Sequence, residues 1–291
     1  MATSEPQLRR LTVADVDQVL AMFQTVNWVR KPFIVEQMIR WSDGGGFCLA
    51  TQEQILATGF SIPYGTDLAW VSMMATHGDY QRRGYATQIM EAIFSYLREH
   101  EIGCAMLDST DDGVALYQKF GFREYCKLEM WVNDAVQADP TYKARHFQAE
   151  DLPGVIRLDG ESFGIERPQM IADFITMYPG LSWVDEENGE ISGFLLAKPR
   201  QDGRVKIGPW IHRTPEGAEK LLCAALNAPG GPVVRVYIPE AHETAKAIVA
   251  RQGFDCRLLL VRMIYRVDSD SAVLPFPSMD RQYSIAMTLT G

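Results

Sequence analysis

The sequence predicts an α+β protein built from two tandem copies of one domain. Two observations lead there. Apolar runs of strand length alternate with runs of helical period along the whole chain. The signals of the first half then recur, in the same order, in the second. Leu11-Thr12-Val13-Ala14-Asp15-Val16 is echoed by Phe147-Gln148-Ala149-Glu150-Asp151-Leu152 at an offset of 136. Thr58-Gly59-Phe60 is echoed by Ser192-Gly193-Phe194 at 134, His77 by His212 at 135, and Phe120-Gly121-Phe122 by Gln252-Gly253-Phe254 at 132. A period this long marks duplication of a whole domain, not a solenoid. The periodicity lapses across Asn133–Tyr142, where Asp134, Gln137, Asp139 and Pro140 interrupt it. The domains are therefore expected at residues 1–135 and 142–291.

The elements of the first copy follow in order. Thr12 caps a helix with Asp15 three residues on, and Val16, Val19, Leu20 and Phe23 form its apolar stripe. Val71 to Thr76 is an apolar run between polar turns and reads as a buried strand. Ile89, Met90, Ile93, Tyr96 and Leu97 repeat at helical spacing, so that helix buries one face. Cys104 to Leu107 is a second buried strand. A short helix with Ala115, Leu116 and Phe120 on one side follows, and Gly121 is its natural stop. Strands at Cys126–Val132 and Arg257–Val267 close the two copies. The tail from Asp268 to Asp280 reads as a loop, with Tyr283–Leu289 returning as a last strand.

Composition excludes several classes. Net charge is −9, and an acidic chain argues against nucleic-acid binding while suiting a cationic amine. No apolar run is long enough to span a bilayer, and Met1 to Gln7 carries neither a basic nor an apolar leader segment. Five scattered cysteines (Cys48, Cys104, Cys126, Cys223, Cys256) lack metal-ligand spacing and read as buried free thiols of a reducing compartment. The expectation is a cytoplasmic protein, monomeric or homodimeric, with no metal and no nucleic-acid or membrane partner.

Gln81-Arg82-Arg83-Gly84-Tyr85-Ala86 lies between the strand ending at Thr76 and the helix opening near Thr87. Free amides at a helix start, with the helix dipole behind them, form an anion site, and a glycine lets the backbone approach the ligand. The natural ligand of such a turn is a pyrophosphate.

The order Gln81-x-x-Gly84-x-Ala86, then a strand, then Tyr117-x-x-x-Gly121-Phe122 resembles the GCN5-related N-acetyltransferases, the GNAT superfamily. The resemblance covers Trp70 to Phe122. It implies that each half is a mixed, mostly antiparallel sheet flanked by helices. It places Met74, Ala75 and Thr76 beside the pantetheine arm of acetyl-CoA, and Arg82, Arg83, Gly84, Tyr85, Ala86 and Thr87 around its pyrophosphate. Tyr117 becomes the acid that protonates the departing thiolate. The whole chain resembles a bacterial subgroup with two tandem GNAT-like halves, the second degenerate; Leu107-Asp108-Ser109-Thr110 is similar to that subgroup's Leu-Asp-Ala-Thr segment. Gly78 departs from the proline that many members carry after the position of His77.

The individual residues leave alternatives open. Asp108 at its strand end either handles the amine proton or caps the next helix. Tyr117 either donates a proton or only packs, and Arg82 and Arg83 also fit a solvated turn. His77 reads as a loop residue, and Trp28, Trp41 and Trp70 as core or rim.

The second half departs at the points that matter. The offset falls from 135 at His212 to 132 at Leu221, so its turn is three residues shorter. Glu216 and Glu219 stand where a pyrophosphate would sit, and Val249 takes the position of Tyr117. Asp159, Glu161 and Arg167 read either as groups reaching the first half's substrate or as a solvated helix face.

The sequence thus predicts an acyl-CoA-dependent N-acyltransferase that moves acetyl to a small-molecule amine. A non-catalytic acyl-CoA sensor and a protein or peptide N-acetyltransferase are the two alternatives.

Overall fold

The computed structural model describes residues 5–135, 141, 143–199, 204–227, 233–267 and 279–285. They fall into two compact units. The first holds residues up to Arg123 together with the segment from Met263, and the second holds Glu124–Arg262 with the C-terminal residues from 279 to 285.

In the first unit, β1 (Gln7–Arg10) leads through a 3-10 turn to α1 (Val16–Gln24) and α2 (Pro32–Trp41). Then come β2 (Gly46–Ala50), β3 (Ile55–Tyr64), β4 (Leu68–Thr76), α3 (Tyr85–Glu99), β5 (Cys104–Ser109) and α4 (Asp111–Lys119). β1 to β4 pair antiparallel in sequence order, and β5 joins β4 in parallel. The stripe Ile89, Met90, Ile93, Tyr96 and Leu97 is buried, and α3 packs it on β2, β3 and β4. Each such apolar side chain stabilises by roughly 1.5–3 kcal/mol when fully buried. Trp70 is completely enclosed, whereas Trp28 and Trp41 are half-buried. The C-terminal helix stop falls where expected, with Gly121 at φ 84° after α4. Tyr265 completes the core at that end, edge-on to Phe94 and tilted against Phe122.

The second unit repeats the order. β6 (Arg123–Asn133) and β7 (Arg145–His146) precede α5 (Leu152–Phe163) and α6 (Pro168–Met177). β8 (Ser182–Glu187), β9 (Glu190–Pro199), β10 (Arg204–His212), α7 (Pro215–Leu226), β11 (Val233–Pro239), α8 (Glu243–Arg251) and β12 (Asp255–Arg266, which from Met263 belongs to the first unit) follow, and β13 (Gln282–Ser284) comes last. The sheet runs β6-β11-β10-β9-β8-β7, with β10–β11 parallel and the other pairs antiparallel. Both units are therefore mixed, mostly antiparallel sheets flanked by helices.

The duplication is visible in detail. Arg9 grips Asp15 through two hydrogen bonds at 2.8 and 2.6 Å, and Asp15 in turn accepts the Thr12 amide. Arg145, Asp151 and Gln148 repeat the arrangement at 2.8, 2.9 and 2.7 Å. Paired with Arg9, the Asp15 carboxyl is held below its ordinary range. Both arginines are partly exposed, so each pair is worth only about 0.2–1 kcal/mol and mainly orients the helix start.

Two expectations need correction. Cys256 is exposed, not buried, although all five cysteines are free thiols. It lies near the start of β12, where Asp255 to Leu259 are all exposed. Asp159 and Arg167 form no solvated helix face. They are buried against each other at 2.7 Å inside the second unit, with the guanidinium 3.7 Å from the Phe163 ring centroid. Glu161 pairs with Arg213 in that unit. Of the tail, Met279–Arg281 forms a 3-10 turn before β13, and residues 268–278 and 286–289 lie outside the described residues.

Candidate functional site

The site of the first unit begins with a parting of strands. β4 and β5 pair only at Ala69↔Ala105 and Trp70↔Met106. Past that point the two strands share no ladder, so the backbone of β4 from Val71 to Thr76 presents unpaired groups on its β5 side. On its other side β4 pairs with β3 through a register shift between Thr58 and Phe60. An extra residue in one strand bends it and re-aims its neighbours. Met73 takes up the bend with φ 48°, an uncommon conformation for a non-glycine residue. Buried Thr58 steadies it by donating its hydroxyl to the Met73 carbonyl at 3.1 Å. Met74, Ala75 and Thr76 follow, all half-buried along the opening.

Residues 77–84 carry the chain from β4 to α3. Arg82 at φ 60° and Gly84 at φ 80° are both left-handed, which turns successive backbone amides toward one point. Gly84 is the residue before α3, and a Cβ there would meet nothing within 4 Å, so the turn opens outward. The first intrahelical bond is Gln88 N–H to the Gly84 carbonyl. The amides of Tyr85, Ala86 and Thr87 precede it and are the free donors of the helix start. No acidic residue sits in the first turn of α3. Arg83 lies 4.8 Å from the Tyr80 ring centroid, and Arg82 and Arg83 are exposed. Every feature suits an anion with several oxygens.

Tyr117 lies on α4 with its ring edge-on to Phe122 at 6.0 Å. Its side chain is 9% exposed, and no other described residue hydrogen-bonds its hydroxyl. Burial pushes that hydroxyl up to about 12, so it keeps its proton at neutral pH. Gly113 makes room for the ring: a Cβ there would stand 3.2 Å from Cε2 of Tyr117. Asp108 is half-buried near the end of β5 and is engaged by other groups, and Thr110 takes the N-cap position of α4 without a side-chain capping bond. His77 accepts the Asp79 amide at 3.2 Å and is a turn residue.

Two family descriptions match this chain. Residues 13–122 match the acetyltransferase (GNAT) family, and residues 155–272 match the acetyltransferase (GNAT) domain. The chain belongs to the GNAT superfamily. Its likeness to solved structures agrees in fold. A provisionally assigned acetyltransferase from Pyrococcus horikoshii aligns with 20% identity and a TM-score of 0.81, covering 100% of this chain and 98% of its own. A GCN5-related N-acetyltransferase from Sphaerobacter thermophilus aligns at 15% identity and 0.65, with full coverage of both chains. A tandem GNAT protein from the clavulanic acid biosynthesis pathway aligns at 15% and 0.68, covering 92% of this chain and 100% of its own. No curated protein matches the sequence significantly.

The second GNAT domain has the same opening, and it is filled. β10 and β11 pair in parallel at Arg204↔Val233, Val205↔Val234 and Lys206↔Arg235. β10 then shifts register between Ile207 and Trp210, the counterpart of the bend at Met73. Here β13 pairs with β10 at Trp210↔Ser284 and Ile211↔Gln282. Ser284 binds both flanks: its hydroxyl donates to the Ile207 carbonyl at 3.0 Å and accepts the Tyr237 amide at 3.1 Å. Ile285 N–H then donates to the Tyr237 carbonyl.

The turn of this GNAT domain is lost as well. Only Arg213 and Thr214 separate β10 from α7. The Thr214 hydroxyl accepts the Gly217 amide, and Glu216 brings negative charge into the first helical turn. The fully buried His212 ring is packed between Gly193 and Gly217, either of which would collide with it if given a side chain. Glu219 is engaged by Arg251 at 2.7 Å, and Val249 is wholly buried core.

Sequence reasoning missed three features: the left-handed Met73, the support from Thr58, and the entry of β13 into the second opening. Gly59, opposite the bend in β4, was the signal available in the first copy, whereas the bend in β10 faces Leu196. Among the described residues no group of His, Cys, Asp and Glu is placed to hold a metal ion, and no helix is long and apolar enough to cross a membrane.

Proposed function

We propose that the first GNAT domain transfers an acetyl group from acetyl-CoA to the amine of a small molecule by direct attack. The observation that carries this reading is the open parting of β4 and β5, together with a left-handed amide turn that leads into an acid-free helix start and the buried, protonated Tyr117. The amides of Gly84 to Thr87 fit the pyrophosphate, with Arg82 and Arg83 adding positive potential. The unpaired backbone of Met74, Ala75 and Thr76 fits an amide-bearing arm laid alongside it, as another strand would lie. Acetyl-CoA supplies an activated thioester carbonyl.

Each remaining role falls to a residue of this chain. A backbone N–H of the Met74–Thr76 segment stabilises the negative charge that the carbonyl oxygen gains. The C–N bond forms as the C–S bond breaks, and Tyr117 gives its proton to the departing sulfur. A thiol titrates near 8.5, so a phenol held near 12 stays loaded but is the weaker acid; its transfer to sulfur is uphill alone and is completed by irreversible C–S cleavage and return of a solvent proton to the tyrosinate. Asp108 accepts the amine proton through water.

The test is a panel of amines and amino acids incubated with acetyl-CoA and read by free thiol release. The reading predicts acceptor-dependent release in the native protein. Release that no acceptor accelerates would overturn it.

A further inference from the structure

We propose that the Thr25 hydroxyl is a positioning group that fastens the α1–α2 loop to the coenzyme turn, so that coenzyme binding is passed to that loop. The inference rests on the reading of the Gly84–Thr87 turn given above.

Thr25 follows the last residue of α1. Its hydroxyl donates to the Met22 carbonyl at 2.7 Å, which leaves its lone pairs to accept the Gly78 amide at 3.0 Å. The hydroxyl proton is thus committed, and the oxygen can only accept from Gly78. Contact continues through the backbone: a Cβ on Gly78 would stand 2.8 Å from the Thr25 carbonyl oxygen, which has no side-chain freedom to withdraw. Proline at position 78 would lack the N–H altogether. The departure from the usual residue after His77 therefore has a physical counterpart in this chain.

On either side of Gly78 the same turn is braced to the sheet. His77 N–H donates to the Leu56 carbonyl at 2.8 Å, and the Gln54 amide donates to the Tyr80 hydroxyl at 3.1 Å. An anion that ties down the amides after Gly84 stiffens a segment already held at Leu56 and Gln54. The same segment is attached to the α1–α2 loop through Thr25. Past Thr25 the α1–α2 connection runs through Asn27 at φ 58° to Lys31, with Val29 63% exposed. Little else in it is buried, so it has motion for a ligand to remove.

Hydrogen exchange of peptides covering residues 25–31, with and without saturating acetyl-CoA, reads this directly. Calorimetry alongside establishes that acetyl-CoA binds each variant. The native chain and Thr25→Ser, which keeps the hydroxyl, should show exchange slowed about fivefold by acetyl-CoA, the size of one hydrogen bond. Thr25→Val should bind acetyl-CoA and lose that slowing. Gly78→Ala, which displaces the Thr25 carbonyl, should lose it too. Equal slowing in Thr25→Val would overturn the latch while leaving the coenzyme reading intact. Failure of the native chain to bind acetyl-CoA would overturn both.

Discussion

The two partings of parallel strands in this chain have the same origin and opposite contents. Between β4 and β5 the backbone is unpaired beyond Trp70. Between β10 and β11 the equivalent gap holds β13, hydrogen-bonded to both sides. A buried unpaired backbone group costs about as much as a lost hydrogen bond, so a parted sheet needs something to fill it. The second domain uses its own chain. The first leaves the opening unpaired, which on our proposal a ligand fills, and its helix start remains free of acid and of side-chain caps. On the proposed reading, a duplicated site is retired without dismantling the fold: a turn is shortened, a glutamate placed, and a strand returned.

That contrast can be broken in four ways, in falling order of effect. Tyr117→Phe should lower kcat by about 10²–10⁴-fold with little change in acetyl-CoA affinity. The converse change, Val249→Tyr, should create no activity in a Tyr117→Phe background, because its opening is filled. Steady-state kinetics checks both, and an unchanged kcat in Tyr117→Phe would remove that residue from the mechanism.

Gly84→Glu should weaken acetyl-CoA binding by about 100-fold or more, since like charges in contact cost several kcal/mol. Glu216→Ala in the second domain should leave the affinity unaltered. Calorimetric titration of both variants tells them apart.

Ser284→Ala should strand the buried Tyr237 amide and destabilise the second unit by roughly 1–3 kcal/mol. Denaturant unfolding measures that loss, and acetyl-CoA affinity should stay native. A drop in affinity would mean that β13 serves the first site after all.

The smallest effect is on pH. Burial holds the His212 imidazole below its ordinary 6.5, while Asp185 pulls the other way. The folded state therefore favours neutral His212, and the unfolded chain takes up the proton first. Stability from this group is full above about pH 6.5 and falls as pH drops below it. Lys220, paired with Asp185 at 2.6 Å, and Glu187 share the surroundings. His212→Gln should flatten the thermal-melt profile between pH 5 and 6.5, a window set by the ordinary histidine range.

Much of this was legible in the sequence because the signals were local. The Thr12–Asp15 and Gln148–Asp151 echo, the stripe on α3 and the Gly84 turn each need only neighbouring residues to make physical sense. So did the loss of the second turn, since a shortened loop and a glutamate can be counted. What escaped depends on distant partners. Nothing around Ser284 states that it enters between β10 and β11. Nothing around Thr25 states that it meets Gly78, 53 positions away. The exposure of Cys256 was hidden because an apolar run, Leu258-Leu259, looks buried in a sequence whether or not anything covers it.

The most direct measurement is the stoichiometry of acetyl-CoA binding by calorimetry on the native chain and on Gly84→Glu. One open and one filled parting predict a single acetyl-CoA per chain, lost in Gly84→Glu. Two per chain, or one that survives Gly84→Glu, would contradict the account.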